Sequence, residues 1–402
     1  MRIVSTCLVI QSLYTILALS EEIPDQSAPA VQVCAPTYFL LGHEHDASFG
    51  TSLSGADDVN GDGFPDFIIG ASEFKPAGSR SGRAVVFSGA TGDALYVFRG
   101  QFEYQTFGSS VAGPGDVDQD GFADLLIGAS DNSAPNTGPG KAFVFSGRDG
   151  DTLYVFTGEA PLDRFGHQVS WVGDVNMDGH PDILVGAPGN DGSATKTGRV
   201  YVFSGSDGAT LHAISGAKEN DHMGYVVAGL GDVDGDGATD FAIRNRPVGS
   251  PNDVYVISGS DGDTLMFFED ADFVSKCGDI NSDGYADVVA GRVDTSRVYS
   301  GLDRSILLEF VNVVAISGAG DVNADGIPDI VATSFNGGVA VVYVFSGLTG
   351  DTLVGYRNNL SLRSFGARVT GIGDFNNDGF ADIGVGARSR PRWVRSGRWC
   401  GR

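Results

Sequence analysis

Apolar and polar positions alternate along this chain in short bursts rather than in long helical stripes. Runs of four to six residues rich in Val, Ile, Phe and Tyr, such as Phe67–Ala71, Ile183–Ala187 and Leu95–Phe98, are bounded by Gly, Asp and Asn. That pattern predicts strands joined by tight turns. No segment of twelve residues carries a helical period. The runs fall into a frame that returns along the chain. Phe-Gly (Phe49-Gly50, Phe107-Gly108, Phe165-Gly166, Phe365-Gly366; Met223-Gly224 in the fourth copy) stands nine residues before an acidic string. After that string comes an apolar run ending in Gly-Ala, then a β-rich run closed by Ser-Gly-x-x-Gly, then a fourth run. Each copy therefore predicts four antiparallel strands, and internal repetition of such units predicts an all-β, seven-bladed β-propeller of four-stranded antiparallel blades.

The acidic string is nine residues long and occurs seven times, with starts 58, 58, 58, 47, 42 and 53 residues apart. It carries Asp at positions one, five and nine, Asp or Asn at three, and Gly at six. The candidate ligands are Asp58, Asn60, Asp62 and Asp66; Asp116, Asp118, Asp120 and Asp124; Asp174, Asn176, Asp178 and Asp182; Asp232, Asp234, Asp236 and Asp240; Asp279, Asn281, Asp283 and Asp287; Asp321, Asn323, Asp325 and Asp329; and Asp374, Asn376, Asp378 and Asp382. Alternate side chains on a backbone that wraps a point give an all-oxygen cage, and the Gly permits the sharp turn. This suits Ca²⁺, with up to seven ions expected, better than Mg²⁺ or zinc. A plain Asp/Asn/Gly turn is the bland reading of any one loop.

The ends of the chain carry further expectations. Arg2, the apolar stretch Ile3–Leu19 and the small residues near Ser20 predict a signal peptide over residues 1–20. Residues 21–33 read as a disordered leader and 34–402 as the propeller, secreted, at the cell surface or in the periplasm. The run Thr37–Leu41 aligns with an outer strand, while the seventh unit shows only its first three strands, near Ala367–Val369, Ile383–Val385 and Trp393–Arg395. The N-terminal strand is thus expected to complete the last blade and hide open edges. Cys34 and Cys400 fall at one equivalent position, which predicts a disulfide. Cys277 reads as a buried, inert thiol.

Composition narrows the function. The chain has 402 residues, 26 basic and 51 acidic, for a net charge of −25. That excess argues against nucleic acid and against an anionic membrane surface. After the first twenty residues no long uninterrupted apolar run follows, so no membrane span is expected, and a monomer is. The six His residues do not recur at one structural position, and no nucleophile–base set stands out.

Phe-Gly, the Asp loop and Gly-Ala, repeated over about residues 37–397, resemble the FG-GAP repeats of the integrin alpha-subunit propeller. The resemblance implies calcium held between the first two strands of a blade, and a non-catalytic role in adhesion or protein recognition. In layout the chain resembles bacterial-type secreted FG-GAP proteins more closely than an integrin subunit. A glycan-binding propeller, and behind it a secreted hydrolase-type enzyme, are the competing readings. Three departures stand out: Arg244-Asn245 replaces Gly-Ala in the fourth unit, and Asp270-Ala271 and Asn312-Val313 replace Phe-Gly in the fifth and sixth. The strand connections opposite the Asp loops (Glu73–Arg83, Gln101–Thr106, Asp131–Lys141, Gly189–Gly198, Lys218–Asp221) vary most and are the expected contact surface, with Phe102 and Tyr104 as aromatic candidates.

Overall fold

The computed structural model describes residues 7–12, 38–42, 48–75, 81–130, 138–192, 194–336, 339–357 and 365–387. Among them every regular element is a strand. The first blade runs Phe49–Asp57, Asp66–Ala71, Arg83–Phe87 and Ala94–Arg99, with neighbours in sequence paired antiparallel. Five more blades repeat that order, from Phe107–Gly115 in the second to Thr352–Arg357 in the sixth.

The expectation of seven antiparallel blades is corrected to six. The remaining four-stranded sheet is mixed. Arg368–Gly373 and Asp382–Ala387 pair antiparallel, but the next strand is Cys7–Ser12, which runs parallel to Asp382–Ala387 and also parallel to Tyr38–Gly42 at the outer edge. Strand three was expected from Trp393–Arg395, which lies outside the described residues. An apolar run from the segment read as a signal peptide takes the place instead. Both runs are short and β-prone, and the residue pattern of a strand does not encode its direction. Cys34, Cys400, His43, His45 and the sequon Asn359-Leu360-Ser361 also lie outside the described residues.

Hydrophobic burial sits between sheets rather than within one. The second strand of each early blade is wholly buried (DFIIGA, DLLIGA, DILVGA), while the outer strands are half-exposed. One core cluster joins Ile68, Ala84 and Val86 of the first blade to Phe107, Val111, Leu125 and Ile127 of the second. Equivalent clusters join the sixth blade to the mixed sheet through Val342, Phe365, Val369 and Ile383, and the mixed sheet to the first blade through Ile372, Phe375, Phe49 and Phe67.

The close approach between blades explains the Phe-Gly and Gly-Ala pairs. A Cβ on Gly70 would lie 2.1 Å from the carbonyl oxygen of Gly108 in the next blade; at Gly128 and Gly186 the corresponding contacts, to Gly166 and Gly224, are both 2.2 Å. Gly108 itself has φ +78°, a region only glycine enters freely. The preceding Phe107 bridges Gly82 of the first blade, as Phe165 bridges Gly140. Phe-Gly is therefore the plug that one blade inserts into its predecessor, and Gly-Ala is the socket.

The fifth and sixth units, which lack Phe-Gly, still form complete four-stranded antiparallel blades. Their shortening falls in connections: in the fifth, Arg292 N donates to Thr295 O across a tight turn. Inner strands of all the sheets line a central cavity of about 650 Å³.

Candidate metal centre and the opposite channel mouth

Antiparallel order places the connections between strands one and two, and between three and four, on one face. The Asp loops form the first of these. In each, the first Asp caps the loop's own backbone: Asp58 Oδ1 accepts from Gly61 N at 2.7 Å and Asp62 N at 3.0 Å, and its Oδ2 accepts from Gly63 N at 2.8 Å. The arrangement returns at Asp174, Asp279, Asp321 and Asp374. Such Asx turns fix the loop backbone through the carboxylate at position one.

The ninth residue behaves differently. Asp66, Asp124, Asp182, Asp240, Asp287, Asp329 and Asp382 have no exposed surface. Asp182 Oδ2 accepts from Val175 N at 2.8 Å, inside its own loop, and Oδ1 accepts from Gly205 N at 3.0 Å, in the turn between strands three and four. Five other blades repeat this two-way clamp. Burial pushes these carboxyls up, against the lowering effect of the two backbone donors: Asp66, Asp182, Asp240, Asp287 and Asp329 to about 6 and Asp124 to about 7. The clamp ties the two hairpins of a blade together, a role that the sequence pattern could not separate from metal ligation.

Three or more carboxylates converge at two loops among the described residues: Asp116, Asp118 and Asp120, and Asp232, Asp234 and Asp240. Up to seven ions were expected; these two are the all-acidic clusters, and the other five loops carry Asn at position three. In each of the two clusters the carboxylate oxygens lie within 4.8 Å of one another, close enough for one cation to reach all three. The oxygen-only donor set fits a hard cation. At the first, third and fifth loops position three is Asn, and its Nδ2 donates to the carboxylate at position five: Asn60 to Asp62 at 3.0 Å, Asn176 to Asp178 at 2.9 Å, Asn281 to Asp283 at 2.8 Å. Cys277 is buried, its thiol is pushed well up by burial, and its Sγ donates to Asp287 O.

The opposite face holds a cluster that sequence reading missed. Arg164 Nη2 lies 3.1 Å from His167 Nδ1, and the His167 and Tyr225 rings are 4.6 Å apart. Arg246 donates to Tyr225 Oη at 2.8 Å and stands 4.6 Å over that ring; Arg244 stands 5.5 Å over it and donates to Asp272 O at 2.7 Å. His167 and Tyr225 occupy the same position in successive blades, directly after Phe-Gly and Met-Gly. Arg244 stands where Gly-Ala is replaced, which was the available signal.

The FG-GAP repeat family matches residues 49–87, 107–145 and 165–203, the first three strands of the first three blades. Integrin alpha-5 of Xenopus laevis is 33% identical over 225 residues, covering 48% of this chain and 20% of that protein. Integrin alpha-PS3 of Drosophila melanogaster is 30% identical over 259 residues, covering 57% of this chain and 20% of that protein. Integrin alpha-7 of Homo sapiens is 34% identical over 173 residues, covering 38% and 13%. The chain thus spans about a fifth or less of these relatives' length. These matches are to animal integrin subunits and lend no support to the narrower expectation of a bacterial-type secreted layout. Among solved structures, a chain in the crystal structure of BBS1N in complex with ARL6DN, soaked with mercury, superposes with a TM-score of 0.51 at 10% identity, over 78% of this chain and 83% of that one; this likeness concerns the fold alone. No helix among the described residues is long and apolar enough to cross a membrane. Repeat, plug-and-socket packing and sequence likeness agree: the chain carries FG-GAP repeats and has the integrin-alpha-like β-propeller architecture.

Proposed function

We propose that this is a non-catalytic, calcium-binding extracellular propeller that recognises a protein ligand. The observation that carries the reading is the pair of three-carboxylate clusters, at Asp116–Asp118–Asp120 and Asp232–Asp234–Asp240, set in repeats similar to those of integrin alpha subunits. Calcium there relieves repulsion between facing carboxylates and locks the hairpin. The other five loops share the backbone geometry and hold a cation more weakly, because each lacks one carboxylate. Likeness to integrin subunits supports recognition rather than catalysis.

The glycan reading needed aromatic rings repeated at one exposed position. The repeated ring is a packing joint instead: Tyr96 Oη donates to Arg148 O and Tyr154 Oη to Gly205 O, both at 2.9 Å across the blade boundary, and at the equivalent place His212 Nε2 lies 2.6 Å from Gly259 O. Phe102 remains exposed on the connection face, which favours a protein contact.

Calorimetric titration of calcium into the stripped chain, with a melt in chelator beside it, tests the metal reading. Binding at two sites with Kd of about 10⁻⁴–10⁻³ M, and a higher Tm with calcium, are expected. No heat and an unchanged Tm would remove calcium from the function.

A further inference from the structure

We infer that the mouth of the central cavity opposite the Asp loops is a binding site for a tetrahedral oxyanion, a sulfate or phosphate group, gripped by Arg164, Arg244, Arg246 and Arg368 around His167 and Tyr225. The chain is acidic overall, at −25, and has only 26 basic residues. Four guanidinium groups gathered at one place in such a chain call for a physical reason.

The cluster is drawn from separate parts of the ring. Arg164 and His167 lead into the inner strand of the third blade, Gln168–Gly173, and Tyr225 into that of the fourth, Val226–Gly231. Arg244 ends the second strand of the fourth blade, Asp240–Arg244, and Arg368 begins the inner strand of the mixed sheet and lines the cavity. The arginine charges are offset only in part, Arg244 by the charge of Asp272. None of the four forms an ion pair among the described residues. The nearby acids are engaged elsewhere: Asp163 accepts from Ala160 N and Asn190, Asp221 from Asn245, and Asp272 from Asn252. The Nε atoms of Arg164 and Arg244 are enclosed and lack a hydrogen-bond partner.

Tyr225 partly offsets the mutual repulsion, through two cation–π contacts. It cannot supply the negative charge that planar guanidinium forks bind best, which is a multi-oxygen anion. Burial, then the charges of Arg164, Arg246, Arg368 and Arg244, hold His167 down to about 3. The ring is therefore neutral at pH 7, held so first by burial and then by the arginine charges. With Arg164 donating to Nδ1, the proton sits on Nε2, which leaves a further donor.

The site deepens the recognition reading of this face and rests on that reading only for its use. The test runs in chelator on the full chain, so oxyanion binding and calcium binding fail separately. Sodium sulfate is titrated against sodium chloride at constant ionic strength, following Tm and the His167 ring resonances; phosphoserine and glucose 6-sulfate form parallel arms. A saturable rise in Tm with sulfate, and movement of the His167 resonances, are expected. Arg246→Gln and Arg368→Gln, at exposed positions, should each weaken binding about ten- to hundredfold while leaving the sulfate-free Tm unchanged or higher. Tighter binding of either carrier than of inorganic sulfate would support the site and name its source. Sulfate no better than chloride, or variants as responsive as the parent, would overturn it.

Discussion

The second and third Asp loops have the same length, the same backbone turn and the same buried clamp, and differ chiefly at one ligand position. In the third loop Asp178 is saturated. It accepts from Asn176 Nδ2 at 2.9 Å, from His180 N at 2.9 Å and from Ser206 Oγ at 2.8 Å. Its slight burial pushes the carboxyl up, but the donors from Ser206, His180 and Asn176 outweigh that and hold it below its ordinary value. In the second loop Asp118 faces Asp120 with no side-chain amide between them; Asp120 N donates to Asp118 Oδ1 at 3.3 Å, and Arg148 Nη1 stands 3.9 Å from Asp120 Oδ2. Burial, and then the charge of Asp120, push Asp118 up. The fourth loop repeats this: burial and the charges of Asp236 and Asp232 raise Asp234. At position three one loop type supplies an amide donor to position five, and the other a second carboxylate. The seven strings are therefore not seven copies of one site.

The largest expected effect lies in what the two loops share. Asp124→Ala and Asp182→Ala each remove a buried carboxylate and orphan two backbone N–H groups, which should cost about 3 kcal/mol or more, with or without calcium. Asp178→Ala, at an exposed position of the same loop, should change the chelator Tm little. Chemical denaturation of the three variants checks this, and equal losses at Asp178 and Asp182 would end the distinction between clamp and ligand.

Next comes the difference itself. Asp118→Asn should convert the second loop to the third type: calcium affinity there falls about tenfold or more as a ligand charge is lost, and the Tm in chelator rises because an amide donor replaces a repelling carboxylate. Asn176→Asp should do the reverse, adding calcium-dependent stabilisation and lowering the chelator Tm. Calorimetry and paired melts read both. If the two swaps leave calcium binding unaltered, position three is not a ligand.

What the residue pattern made legible was what the backbone demands of particular residues. Gly70 and Gly108 must be glycine because two blades touch there, so plug and socket are written as Phe-Gly and Gly-Ala. The wholly buried second strands are likewise visible as unbroken apolar runs. The closing sheet was not legible: Cys7–Ser12 and Trp393–Arg395 are alike in pattern, and direction is decided by which run reaches the gap. The clamp at position nine was not legible, since the same Asp suits a buried acceptor of two backbone N–H groups and an expected metal ligand. The arginine cluster was legible only at Arg244, where Gly-Ala is replaced; Arg164 and Arg368 come near it only through the circular order of the sheets.

The smallest effect, and the one that separates clamp chemistry from metal chemistry, is the pH dependence. Six clamp carboxyls are held at about 6 to 7 in the folded chain, against about 3.9 when unfolded. Between about pH 4 and pH 7 the folded form therefore binds more protons than the unfolded one, so stability should rise as pH falls through that window. His167 works in the opposite sense. Held near 3 when folded, it leaves the unfolded chain to take up a proton near pH 6.5, which lowers stability below that pH. Six groups oppose one, so the calcium-stripped chain should melt higher at pH 5.5 than at pH 7.5. Calcium selects ionised carboxylates and should flatten or reverse that slope. Relief of the general negative charge on acidification acts in the same direction as the clamps. Asp182→Asn and Asp329→Asn separate the two contributions, because each removes one clamp titration while barely changing the net charge, and should make the slope shallower. A calcium-free Tm that falls on acidification would mean that the two backbone donors outweigh burial, leaving the clamps ionised at neutral pH.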